Sequence, residues 1–278
     1  MIGLVGRLGA GQPPAGRRRL TAGLSCVVAA LFAPGMVAAA NAADFNPSPG
    51  SYTADTTALT LTGPGVSVTG QNINGVAVFN FQNVNIPVGT TVFATGSRPF
   101  EFQASGNFTL AGVINAAGTN ATNFVAGPTP SGAGGGFGGT DKTQPGGGSG
   151  GGGVASSGSH GAGGGGFGGV GAPGGCNTGT CLATESAGAG GNAYGNLDVL
   201  FQGGSGGGGA SVGTGSTVGG GGGGGAVAIY AASITTLGGS EIMADGGNGA
   251  VGGNGASGGG SGGGIFLHAN VINASGLL

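Results

Sequence analysis

Along the second half of the first hundred residues, apolar and polar positions alternate in short runs. TALTLTG (Thr57–Gly63), VSVTG (Val66–Gly70), VAVFNF (Val76–Phe81), VNIP (Val84–Pro87) and TTVFATG (Thr90–Gly96) each keep a period of two and stop at or near Gly, Pro or Asn. That is the pattern of short strands separated by turns. No window carries the three- and four-residue spacing of an amphipathic helix. The chain is therefore expected to be all-β with irregular connections.

The alternation also repeats over long distances. PFEFQASGNFTLAGVINAAG (Pro99–Gly118), AVAIYAASITTLGGSEIMADGG (Ala226–Gly247) and GIFLHANVINASGLL (Gly264–Leu278) follow one plan. Each opens with a strand holding two large apolar residues: Phe100 and Phe102, Val227 and Ile229, Ile265 and Leu267. Each then bends at a small residue: Ala104, Ala231 or Ala269. A second strand follows, with Phe108 and Leu110 in the first copy and Ile234 in the second. A third strand, Val113–Asn115 or Glu241–Met243, completes the first two copies. In the third copy Gly276-Leu277-Leu278 aligns with Gly112-Val113-Ile114, so either a capping partner or an incomplete sequence, a fragment or a frameshifted product, is expected.

One such unit cannot bury its own apolar side, whereas a stack of units can. The repeat predicts the rungs of a parallel β-helix, an all-β solenoid, with a β-sandwich as the rival. On the alignment, Gln103, Tyr230 and His268 form one outward column, with Thr109 and Thr235 in a second. These five are the candidate surface-binding residues. His268 reads as a solvent-facing rung residue rather than a catalytic base.

Composition complicates this picture. Glycine accounts for 77 of 278 residues, against an average near 7%, and it dominates residues 119–225. There is no G-x-y period with frequent proline, so collagen is excluded. Two outcomes are open for this segment. It can be a flexible tether, as Gly/Ser linkers are, or its strands can adopt polyproline II geometry and pack side by side. Phe137, Phe167, Tyr194 and Phe201 recur within it, which a bare spacer does not need. LDVLFQG (Leu197–Gly203) reads as a short alternating strand.

Four segments result. Residues 1–42 are a signal peptide: Arg17, Arg18 and Arg19 precede an apolar, small-residue stretch ending in Ala40-Asn41-Ala42, with cleavage expected after Ala42. Residues 43–118 hold the first strands and rungs, residues 119–225 the glycine-rich insertion, and residues 226–278 further rungs. Cleavage leaves Arg98 and Lys142 against eight acids, a net charge of −6. That charge excludes a basic footprint for nucleic acid, and no membrane span is expected after cleavage. Export makes a Cys176–Cys181 disulfide the default reading of CNTGTC. His160 and His268 are isolated, so no metal site is expected, and no cofactor either.

Catalytic patterns are weak. G-x-S-x-G occurs around Ser149, Ser205 and Ser261, without the strand before and helix after that a nucleophile elbow needs. Glu101, Glu241 and Asp245 fall in separate rungs, and Glu101 with Arg98 reads as a surface pair. Glycoside cleavage needs clustered acids, so no catalytic residue is assigned.

The run VFNFQNVNIPVGTTVFATGSRPFEFQASGNFTLAGVINAAG, then the glycine tract, then GGGGGGGAVAIYAASITTLGGSEIMADGG and GGGSGGGIFLHANVINASG, resembles a group of large secreted bacterial glycine-rich β-helix proteins. The resemblance implies a secreted or outer-surface location and no established chemistry. Together these readings predict a non-catalytic structural or adhesive protein, with a glycan- or ice-binding module as the alternative and a polysaccharide-active enzyme third. The expected partners are extracellular glycans or other copies of the chain.

Overall fold

The structure is a computed structural model that describes residues 43–155, 160–176, 187–197, 200–211 and 216–275. The predicted signal peptide, Cys181 and residues 276–278 lie outside the described residues. No helix is assigned among the described residues. In chain order the strands are β1 (Gly50–Asp55), β2 (Thr60–Gly63), β3 (Val66–Thr69), β4 (Gln71–Ile73), β5 (Val76–Phe81), β6 (Val84–Ile86), β7 (Thr90–Thr95), β8 (Phe100–Ala104), β9 (Asn107–Leu110) and β10 (Val113–Asn115). Next come β11 (Ala210–Ser211), β12 (Thr217–Val218), β13 (Ala226–Tyr230), β14 (Ser233–Thr236), β15 (Glu241–Met243), β16 (Val251–Gly252), β17 (Gly255–Ala256), β18 (Gly264–His268) and β19 (Val271–Ala274).

Three larger sheets carry most of the pairing. The first runs β15-β10-β7-β1-β2-β3, the second β18-β13-β8-β5-β4 and the third β19-β14-β9-β6. From β5 onward the chain visits the second, third and first sheets in turn. It repeats that order at β8–β10 and β13–β15, then enters the second and third again at β18 and β19. All pairings between these visits are parallel. Phe79, Phe102, Ile229 and Leu267 occupy one register row across the second sheet. Val84, Phe108, Ile234 and Ile272 do so in the third, and Val92, Ile114 and Ile242 in the first. Apart from the exposed Ile272, the three rows supply one shared core.

Rings fill much of that core. Phe45, Phe81 and Phe102 lie with centroids 5.1–5.9 Å apart, and Phe102 also packs on Phe100 at 4.7 Å and Phe108 at 5.7 Å. Such contacts add roughly 0.5–1.5 kcal/mol each beyond area burial. At the other end, β18 and β19 are edge strands: Ile272 is 43% exposed, whereas its row neighbour Ile234 is 0% exposed.

The N-terminal region differs in detail from the sequence reading. Residues 57–59 form a turn, not the start of a strand, because Asp55 Oδ1 accepts the N–H groups of Thr57 (2.8 Å) and Ala58 (2.9 Å). This is the local side-chain bond that makes Asp a turn residue. β1 and β4 were not anticipated. β4 joins β5 through Asn74-Gly75, both at positive φ (52° and 88°), which is the two-residue hairpin geometry Asn-Gly favours. The antiparallel strands β2, β3 and β4 lie against the edges of the parallel sheets.

The described glycine-rich segments are packed, not loose. In Gly219–Gly225 every N–H donates to another segment at 2.7–3.1 Å, and the direction changes with each residue. Gly219, Gly222 and Gly225 donate to the carbonyls of Val125, Thr119 and Ala116. Gly220 and Gly223 donate to Gly139 and Gly136. Gly221 and Gly224 donate to Gly258 and Ser261. Every third residue thus addresses the same neighbour. Carbonyls of this segment accept in turn from Gly132, Gly204, Gly207, Gly247 and Gly264. The segment has five neighbours and no side chain facing any of them. The spacing leaves no room for one: a Cβ on Gly224 would fall on the Ala244 carbonyl oxygen, and one on Gly222 on that of Pro130.

Candidate functional site

Outward positions on the second sheet form two adjacent rows. Val78, Glu101, Ala228 and Phe266 make one; Asn80, Gln103, Tyr230 and His268 make the other. The predicted column Gln103, Tyr230, His268 is therefore assembled, and Phe266 joins it. Ring centroids lie 5.6 Å apart for Tyr230–Phe266, 5.4 Å for Tyr230–His268 and 6.4 Å for Phe266–His268, whose planes are 3° from parallel. His268 is exposed, while Tyr230 and Phe266 are half-buried. Phe266 was missed in the sequence although the period of two puts it on the side of His268.

Gln103 corrects the expectation of a solvent-facing residue. It is 8% exposed, flanked at its own register by Asn80 and Tyr230. Glu101 is buried as well, at 6% exposure, between the buried Val78 and Ala228. Burial in that apolar row disfavours the carboxylate and raises its pKa from 4.5 to about 7. The charge of Glu101 in turn adds to burial in raising the pKa of Tyr230. The expected surface pair with Arg98 does not form. The Arg98 guanidinium instead donates to the carbonyls of Thr56 and Thr57, both at 3.0 Å.

A raised carboxyl pKa is a common mark of functional sites. Among the described residues, however, Glu101 has no second acid beside it: Glu241 lies on the first sheet and Asp245 follows β15. Two facing carboxyl groups, the requirement for glycoside cleavage, are not brought together among them. Among the described residues no three His, Cys, Asp or Glu side chains are grouped as metal ligands.

Thr109 and Thr235 lie on the third sheet, in the row Asn85, Thr109, Thr235, Asn273. Beside it runs a hydrogen-bonded ladder. Ser233 Oγ donates to Asn107 Oδ1 (2.7 Å), the Asn107 N–H donates to Asn83 Oδ1 (2.9 Å), and Asn83 Nδ2 donates to Asp44 Oδ1 (2.9 Å). Asn85 Nδ2 reaches Asn46 Oδ1 at 2.8 Å. The two predicted columns occupy different sheets, so they are two surfaces and not one site.

The glycine segments hold their own polar cluster. Ser205, fully buried, accepts the Gly150 N–H (2.9 Å) and donates to the Tyr194 hydroxyl (2.6 Å), which donates to the Gly203 carbonyl (2.9 Å). Ser261 Oγ accepts the Ser205 N–H (2.8 Å) and donates to the Gly166 carbonyl (3.0 Å). Two of the three G-x-S-x-G serines thus complete backbone hydrogen bonding. Phe167 meets Tyr194 edge-on at 5.3 Å. Leu197–Gly203 is not a strand in its described residues; the Leu200 N–H donates to the Asn196 carbonyl at 3.0 Å. Cys176 is disulfide-bonded.

Comparison with known protein families, with curated proteins and with solved structures returned no match.

Proposed function

We propose that the chain is a secreted, non-catalytic structural or adhesive protein of a cell surface or extracellular matrix. In this reading the three sheets are the walls of a parallel β-helix, and the glycine segments are polyproline II strands packed beside it. The in-register rows support the first part. The three-residue repeat of hydrogen bonding supports the second, because a polyproline II helix has three residues per turn and leaves its amides free for neighbours.

The observation that carries the functional reading is the continuous polar row of Asn85, Thr109, Thr235 and Asn273 beside a side-chain ladder. It gives an extended, regular outer surface where an enzyme would gather its acids and bases. A leader at residues 1–42 would deliver such a wall to the exterior. The experiment is a deletion strain and the purified protein together. Loss of cell or matrix attachment on deletion, with no glycan turnover by the purified protein, is the expected result; turnover of a glycan would overturn it. A second reading, a flat glycan- or ice-binding module, draws on the same Thr109–Thr235 row. Unchanged ice shaping and a blank glycan array would remove it.

A further inference from the structure

A groove of about 400 Å³ opens where the outward face of the first sheet meets the glycine-rich segments. Phe93, Thr95 and Asn115 line it from β7 and β10, and Thr119, Ser131 and Phe137 face them from the glycine side. The two walls are tied together by backbone. The N–H groups of Ala133 and Gly134 donate to the carbonyls of Ala94 (3.1 Å) and Gly96 (2.9 Å), and within the glycine wall that of Thr119 donates to Pro130 (2.9 Å). The groove is therefore formed before any ligand arrives, which limits the ordering cost of binding.

Its chemistry is mixed and uncharged. Phe93 is 39% and Phe137 57% exposed, so two rings stand open to solvent, one on each wall. Asn115 Oδ1 already accepts the Ala117 N–H (2.9 Å), which leaves its side-chain N–H groups to donate outward. The Thr95 and Thr119 hydroxyls enter none of the hydrogen bonds among the described residues. No ionisable side chain lines the groove. Two charges close to the lining in sequence or register are occupied elsewhere: Arg98, next to Ser97, on the Thr56 and Thr57 carbonyls, and Asp55, paired with Thr95, on the Thr57 and Ala58 amides.

These features discriminate between ligands. A charged ligand would lose hydration and meet no counter-charge. A wholly apolar ligand would cover the hydroxyl and amide groups and leave them unpaired, which costs more than such a contact returns. A pyranose chain presents C–H faces to the rings and hydroxyls to Thr95, Asn115 and Thr119. The volume is within the range of small-ligand sites. We propose that this groove binds a neutral oligosaccharide. The site deepens the adhesive reading and rests on it for its biological setting.

The test is calorimetric titration of the purified protein with neutral hexasaccharides (cello-, malto-, manno- and chito-series), with hexagalacturonate and with a Leu/Phe-rich nonapeptide. At least one neutral sugar should bind, and hexagalacturonate should bind at least about tenfold more weakly. Phe93→Ala and Phe137→Ala should each weaken the sugar by roughly tenfold, as loss of a central aromatic anchor does. Val271→Ala, at an exposed position of the third sheet outside the groove, should leave affinity unchanged. Both phenylalanines are solvent-open, and an unaltered unfolding midpoint shows that the variants fold. No binding by any neutral sugar, binding unchanged in both phenylalanine variants, loss of binding in Val271→Ala, or preference for the peptide would each overturn the proposal. Attachment measured in parallel separates the two readings. Normal attachment by a Phe93→Ala/Phe137→Ala double variant that binds no sugar removes the groove's role and leaves the adhesive reading standing.

Discussion

The parallel sheets and the glycine segments bury polypeptide backbone by opposite means. In the sheets, each visit of the chain places large side chains inward, and Phe79, Phe102, Ile229 and Leu267 stack from strand to strand. Backbone bonding there runs along two neighbours, and the hydrophobic interior supplies the driving force. In the glycine segments there is almost nothing apolar to bury. Gly219–Gly225 instead sends successive amides to three different segments, and its neighbours come close enough that a single methyl group has no place. The first region tolerates no loss of side chain, and the second tolerates no gain. Glycine loses more conformational freedom on folding than any other residue, and close approach with nearly complete amide pairing is what offsets that loss.

Three substitutions would break this contrast, in decreasing size of effect. Phe102→Ala removes a fully buried ring that touches four others and should cost about 3–5 kcal/mol in denaturant unfolding. An effect near zero would mean that the rows do not form a packed core. Glu101→Gln comes next. The folded-state pKa of Glu101 is raised from 4.5 to about 7, so the folded protein holds a proton that the unfolded chain releases. That contribution is complete below pH 4.5, falls as pH rises through about 7, and is then gone. The difference amounts to about 3 kcal/mol. Unfolding midpoints measured from pH 4 to pH 9 should show the decline in the parent and a flatter profile in Glu101→Gln. Equal slopes would remove the buried carboxyl from the account. Gly224→Ala should cost about 1–3 kcal/mol by overpacking, because its Cβ would fall on the Ala244 carbonyl oxygen and lie 2.8 Å from the Gly263 nitrogen. A neutral result would mean that the segments are not in contact.

Much of the sheet region was legible in the sequence. The pairing of Phe102 with Ile229 and Leu267, and of Phe108 with Ile234, follows from matching the small-residue bends at Ala104, Ala231 and Ala269. The N-terminal strands were harder. β1 (GSYTAD) opens on glycine and carries few apolar residues, so its alternation is faint, while the Asn74-Gly75 hairpin had a readable signal. Gln103 and Glu101 were misplaced because alternation tells which face a side chain takes but not what lies over that face. The groove could not be found in one dimension: Phe93 and Phe137 are separated by more than forty residues, and only the docking of residues 130–135 along β7 brings them together. The order of the glycine segments was undecided for a related reason. Composition alone permits both a tether and a packed array, and the choice depends on whether each amide finds an acceptor.

Native-state amide hydrogen exchange across Gly219–Gly225, compared with Phe100–Ala104, tests the central claim most directly. The account predicts protection of both segments well above unfolded-chain rates, with Gly220–Gly225 slowed at every position and not at alternate ones. Exchange of the glycine amides at the rate of an unstructured chain, with β8 protected, would contradict it.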